Sequence, residues 1–282
     1  MTLQNEAICV RLFPSQWGAK KVDKSVSKDT RDRYNAASDA GSFSKKLAPA
    51  EFLSGVNTAF SAIAEFHKDM TVAWDDDGFR LLPNADYFDY MAGLDERKSA
   101  ISRAVDLIIA GWDDFVNAER QRLGNMFNID DYPKRHEVSE KYGVKIKRKI
   151  ITDAGDIRIA NHDKIEDAVR EEVIAEQAEN HKRAMTDLWS RLYGPVKKLA
   201  DKIQDVDMTG ARKTLVEDIW EVTQILPKLN VFGDPELKAM AEEVADRLCT
   251  HSVKKLKIDE NAYAETKAAV DEIMKKMEGY VL

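Results

Sequence analysis

Three lysines at alternate positions, Lys145, Lys147 and Lys149, form the most distinctive charge pattern in the sequence. They stand in a stretch, residues 134–149, that holds seven Lys or Arg and two Glu, a local balance of +5 in a chain whose formal net charge is −7. Alternate residues of a β-strand share a face and lie about 6.6 Å apart, comparable with the spacing of phosphates along a single nucleic-acid strand. These lysines, together with Arg158 on a second predicted strand, are therefore candidate contacts to phosphates or to an acidic partner.

The same alternation also has a purely structural explanation. Lysines on the exposed face of a β-hairpin protect its edges from pairing with other chains. Aromatic rings among the lysines would favour stacking on nucleic-acid bases, but Tyr142 is the only ring nearby in the sequence. Both explanations remain open at this level.

The tryptophans are predicted to differ in their exposure. Trp112 and Trp220 lie on apolar helical stripes and are predicted to belong to the core, whereas Trp17, which precedes Gly18 and a pair of lysines, is the candidate for a surface contact.

Common catalytic and cofactor-binding motifs are absent from the sequence. It contains no GxGxxG, no GxxxxGK[ST], no GxSxG and no HExxH, and its five histidines are scattered. The run Asp75, Asp76, Asp77 and Gly78 is expected to form a turn rather than a calcium loop, because the apolar residues after it supply no further oxygen ligands. We therefore predict no catalytic, cofactor-binding or metal-binding residues, no cofactor and no enzymatic activity.

The composition of the 282 residues is that of a globular protein: 44% are apolar, 33% are charged, and 13 Gly and 7 Pro occur. The net charge argues against a wholly cationic nucleic-acid coat. Two cysteines do not suggest a disulfide framework. With no basic leader and no uncharged apolar run of 18 residues, the chain is expected in the cytoplasm of a host cell, without a membrane partner.

The elements that would position these residues are mainly helical. Apolar periodicity predicts helices over residues 50–70, 84–123 and 161–193. The third helix is expected to kink just after this range, at Gly194 and Pro195, before the apolar pattern resumes. Three shorter helices are predicted over 214–226, 234–249 and 261–277. The 4-3-4-3 spacing from Ile101 to Phe115 is typical of a coiled coil. Short strands are predicted over 7–13 and in a hairpin over 71–82, and an exposed helix over 20–33.

The order of these elements predicts a mainly α fold. The two longest helices would form a long antiparallel αα-hairpin with a small β-hairpin, residues 144–159, at its tip. The domains would be an N-terminal arm and exposed helix (1–49), the long helical hairpin (50–204) and a C-terminal helical module (205–282). The long helices would also allow self-association into a homo-oligomer.

Three short segments carry a family resemblance: FNIDDYP at 127–133, DAGDIRI at 153–159 and LPKLNVFGDPEL at 226–237. They resemble uncharacterised helical proteins of tailed bacteriophages and mobile elements, near the DUF3150-type proteins. The resemblance implies a phage accessory protein and transfers no catalytic residue. We therefore expect a non-enzymatic accessory protein that acts through protein–protein interaction with an unidentified host or phage protein. The first alternative is a nucleic-acid-binding factor that uses Lys145, Lys147 and Lys149, and the second is an enzyme whose site carries no recognisable motif.

Overall fold

A computed structural model describes residues 3–151, 163–204, 211–212 and 214–281. Helical residues make up 69% of this part of the chain, which confirms that the fold is mainly α. The helices are α1 Leu3–Glu6, α2 Lys24–Arg33, α3 Ala50–Asp69, α4 Tyr87–Ala110, α5 Trp112–Leu123, α6 Asp163–Ile203, α7 Leu215–Leu229, α8 Pro235–Leu248, α9 Val253–Leu256 and α10 Glu260–Val281. The strands are β1 Ala7–Ser15, β2 Lys20–Asp23, β3 Phe43–Lys46, β4 Val72–Ala73, β5 Arg80–Pro83 and β6 Gly143–Lys149.

The strands form two sheets. The larger has the order β4-β5-β1-β6, and in it β1 and β5 are antiparallel with Cys9 opposite Leu81. The predicted hairpin over 71–82 is present as β4 and β5, and its turn needs Gly78 because the backbone there has a φ of +82°. The smaller sheet pairs β2 with β3.

The chain divides into two compact units, each built from separate segments. Unit 1 comprises residues 1–11, 69–87 and 148–282, and unit 2 comprises 12–68 and 88–147. The predicted αα-hairpin is therefore wrong, because α4 from Phe88 onward and α5 belong to unit 2 whereas α6 belongs to unit 1. The predicted C-terminal helical module is not separate either, since α7 and α10 pack directly on α6.

The long helices themselves also differ from expectation. Residues 84–123 do not form one helix, because α4 ends at Ala110 and α5 begins after Gly111, whose backbone leaves the helical region. By contrast, α6 continues through Pro195, and the residues after it on the buried stripe, Val196 and Leu199, are fully buried. Apolar spacing therefore identified the helical segments but not the interruption at Gly111, and the kink at Pro195 stays a prediction.

The expected β-hairpin tip is also wrong as an isolated element. Its first strand exists as β6, but β6 lies beside β1 in the four-stranded sheet. Its second strand, with Arg158, lies outside the described residues.

Unit 1 combines an apolar core with a group of ionic side chains centred on α6. On α6, Asp187 accepts hydrogen bonds from the backbone N–H of Ala73 at 2.8 Å and from the guanidinium groups of Arg80 and Arg191 at 3.0 Å each. Arg191 also donates to the backbone oxygen of Thr71 at 2.6 Å. Burial, the largest influence, raises the pKa of Asp187, but the two guanidinium groups and the Ala73 hydrogen bond outweigh it and hold the pKa below its ordinary value.

Unit 2 contains a second ionic group, at the small sheet. The ammonium group of buried Lys45 lies 3.1 Å from a carboxylate oxygen of Asp23 and 2.8 Å from one of Asp131, while Lys21 approaches Asp131 at 3.0 Å. The two carboxylates offset the free-energy cost of removing the Lys45 ammonium group from water. Asp131, which belongs to the FNIDDYP segment, thus has a structural contact.

An aromatic cluster fills the core of unit 2. Trp17 packs edge-on against Trp112 with ring centroids 5.2 Å apart, and Phe52 stacks on Phe115 at 3.7 Å. Trp17, the candidate for a surface contact, is half-buried and packs within this cluster, whereas Trp112 is buried as predicted. Trp220, predicted to be in the core, is 49% exposed.

Candidate polyanion-binding strand

The strand β6 presents the predicted lysines on one face. Lys145, Lys147 and Lys149 are exposed, while Val144 and Ile146 are half-buried. The alternation in burial holds from Val144 to Lys147 and ends at Arg148, which is exposed like the lysines on either side of it. Lys145 and Lys147 are not paired with any carboxylate in the described residues.

Lys147 lies next to an aromatic ring that the sequence did not place there. Its ammonium nitrogen is 4.8 Å from the centroid of the Phe13 ring, which β1 supplies. This is within the range of a cation–π contact. Phe13 was missed because it is far from β6 in the chain, and no local pattern links the two strands.

Tyr142, the ring expected near the lysines, packs elsewhere. Its ring centroid lies 6.3 Å from that of Phe60, and its hydroxyl group is buried without a hydrogen-bond partner in the described residues. Burial raises the pKa of Tyr142 to about 12, so the hydroxyl stays protonated at neutral pH. Tyr142 therefore supports the start of β6 and does not extend the lysine face.

Lys149 differs from the other two lysines because it is already paired. Its ammonium nitrogen lies 3.4 Å from a carboxylate oxygen of Asp75 and 5.5 Å from the Phe79 ring centroid. The Asp75 side chain is only 6% exposed, so the pair is partly shielded from solvent. An external anion would have to compete with Asp75 for Lys149.

Two aspartates of the 75–78 turn, Asp75 and Asp76, have structural partners. Asp75 accepts a hydrogen bond from the backbone N–H of Phe79 at 2.8 Å, and Asp76 pairs with Arg183 at 2.5 Å. Within the described part of the chain, no three His, Cys, Asp or Glu side chains are arranged to hold a metal ion.

The two cysteine thiols are poor nucleophiles. Burial is the main cause that raises the pKa of Cys9 to about 12 and that of Cys249 to about 11. Since the thiolate is the reactive form, both side chains are unreactive at neutral pH.

Comparisons with known proteins add no family: no family model, no curated protein and no solved structure matches the chain. The phage resemblance stays a prediction. In the residues that the structure describes, no helix is both long enough and apolar enough to cross a bilayer.

Proposed function

We propose that this protein is a non-enzymatic accessory protein that binds an acidic surface of a partner protein through Lys145 and Lys147. The observation that carries the proposal is that two exposed lysines share one face of β6 and lack an ionic partner among the described residues. The resemblance to helical phage proteins supports an accessory role with a host or phage protein as partner.

The third lysine of the strand supports a carboxylate as the partner group. Lys149 is paired with a carboxylate, that of Asp75, inside the chain itself. Lys145 and Lys147 offer the same ammonium group to a carboxylate from outside. Exposed ion pairs contribute at most about 1 kcal/mol each, so these two contacts orient a partner and raise its association rate more than they fix affinity.

Single-stranded nucleic acid is the second candidate, and the Phe13 ring favours it. Aromatic rings beside cations are the usual combination on surfaces that bind single strands. Because Lys149 is occupied by Asp75, only two phosphate contacts are expected. They would give a slope of log K against log salt of about −1.4 for single strands and about −1.8 for duplex.

The experiment compares two labelled probes, a ten-residue polyglutamate peptide and a single-stranded oligothymidylate, by fluorescence anisotropy at low salt. The proposal expects the peptide to bind and the K145Q/K147Q variant to lose binding. The matched control is K149Q, which removes one charge from the same strand at a site that Asp75 already neutralises. Per lysine replaced, K149Q should lower the affinity for the peptide less than K145Q/K147Q does.

The outcomes separate the candidates. Tighter binding of the oligonucleotide, with the expected salt slope, would replace the proposed partner by nucleic acid. Binding of neither probe at low salt, where screening is weakest, would overturn both and leave edge protection. Equal loss in K149Q would show that Asp75 does not occupy that lysine.

A further inference from the structure

Unit 2 contains a cavity of about 530 Å³ next to helix α3. The helix supplies one wall, and Leu12, Pro14 and Val144 from the segments of β1 and β6 supply the other. Ligand pockets in proteins measure about 300–1,000 Å³ and are mostly apolar, with a few polar groups that orient the ligand. The size of this cavity is therefore that of a small-molecule site.

The floor of the cavity consists of two apolar side chains and the imidazole of His67, and it is held in place. Phe60 and Ile63 are 5% and 2% exposed, and His67 beside them is 8% exposed. Nδ1 of His67 lies 2.8 Å from the hydroxyl oxygen of Tyr90, which is fully buried. Because this hydrogen bond fixes the imidazole ring, the floor is preformed rather than created by a ligand.

The rim carries polar groups without formal charge. Gln16, Asn57 and Ser61 line the cavity and are exposed, so their amide and hydroxyl groups remain available to a ligand. On α3, Asn57, Ser61 and Ala64 follow each other at helical spacing and therefore share a face. Among the described residues, those that line the cavity include no Asp, Glu, Lys or Arg.

This distribution of polarity defines the class of ligand. A charged group placed over Phe60 and Ile63 would lose its hydration without gaining a counter-charge, which is strongly unfavourable. An apolar body over the floor with a hydroxyl or amide head at the rim would satisfy both regions. We propose that the cavity binds a small uncharged molecule with an aliphatic body and one hydrogen-bonding head group.

The test uses straight-chain alcohols as probes, followed by changes in the backbone amide NMR signals of residues 57–67. The proposal expects 1-hexanol, 1-heptanol and 1-octanol to bind with affinity rising about fourfold per methylene, which corresponds to about 0.8 kcal/mol for each buried CH₂. Octanoate and octylammonium, with the same chain and a charged head, should bind at least tenfold more weakly than 1-octanol.

A pair of variants on α3 separates this cavity from other binding. Ala64 lines the cavity and is exposed, so A64F should fill the space and reduce the affinity for 1-octanol at least tenfold. Ala62 is also exposed on α3 but does not line the cavity, so A62F should bind like the wild type. Circular dichroism checks that both variants keep their helix content.

Three results would each overturn the proposal: no shift of the 57–67 signals with 1-octanol, equal binding by A64F and A62F, or equal affinity for the charged and uncharged probes. The proposal is independent of the lysines of β6. Loss of polyanion binding in K145Q/K147Q therefore leaves it unaffected, and the alcohols should bind that variant as they bind the wild type.

Discussion

Two helical glycines of unit 2 should respond differently to the same substitution. Gly55 lies within α3, and a Cβ atom added there meets nothing within 4 Å. Alanine in an exposed helix interior is more favourable than glycine by about 1 kcal/mol, because it reduces the conformational freedom lost on folding. We expect G55A to raise the free energy of unfolding by about that amount.

Gly93, within α4, has no room for the added carbon. A Cβ atom there would lie 2.9 Å from Cε2 of Phe66 and closer still to its Cζ. The Phe66 ring cannot move freely, since it stacks on Tyr90 with centroids 5.7 Å apart and carries the Arg97 guanidinium 3.9 Å above it. Overpacking of this kind costs about 1–3 kcal/mol. After subtracting the helix gain of about 1 kcal/mol, G93A should be neutral to destabilising by about 2 kcal/mol.

Urea unfolding of the wild type and both variants, followed by circular dichroism, measures the difference. G55A should be more stable than G93A by about 1–3 kcal/mol. In an F66A background the obstructing ring is gone, so G93A should become stabilising like G55A. If G93A stabilises the protein with Phe66 present, the ring is not held by Tyr90 and Arg97, and the argument is refuted.

Two predictions concern the ionic group around Asp187. D187A leaves two largely buried guanidinium groups without their carboxylate, so it should lower the free energy of unfolding by about 3–5 kcal/mol. The control is D95A, which removes the exposed partner of Lys98. In the same urea experiment D95A should change the free energy of unfolding by less than about 1 kcal/mol. Because the pKa of Asp187 is lowered by folding, its stabilisation is present above the unfolded-state pKa of about 3.9 and is lost as the pH falls through the folded-state pKa. Urea unfolding between pH 7 and pH 3 should therefore show a smaller acid-dependent loss in D187N than in the wild type, and equal losses would contradict the assigned contacts.

The sequence predicted the helices better than their partners because the two depend on different information. An apolar helix face such as Ile101 to Phe115 can be recognised from the spacing of apolar residues within the segment alone. This spacing does not say which surface covers that face, and here Trp17 and Phe52 of unit 2 contact its last residues, Trp112 and Phe115. The break at Gly111 was equally hidden, since an isolated glycine is compatible with either a helix interior or a helix end.

The unit boundaries were hidden for a related reason. The stretch 39–49, rich in Ser, Gly and Ala, is typical of a linker and predicts a boundary at residue 49. In the structure two of the four divisions, between Arg11 and Leu12 and between Lys147 and Arg148, fall inside strands β1 and β6, and the other two follow Lys68 and Tyr87. A strand interior has no compositional mark of a boundary, so segments that are distant in the chain had to be seen together before the units could be recognised.

The lysine face shows what alternation alone can and cannot establish. The lysines occupy every second position in the sequence. Because side-chain direction alternates along any strand, this spacing alone places Lys145, Lys147 and Lys149 on one face. It could not distinguish them, since the difference comes from Asp75, Phe13 and Phe79 on other strands and turns. Protection of a sheet edge requires only that charge be exposed and gives no reason for one lysine to be paired and two to lack an ion pair. The difference between the paired and unpaired lysines is therefore the feature on which a binding role rests.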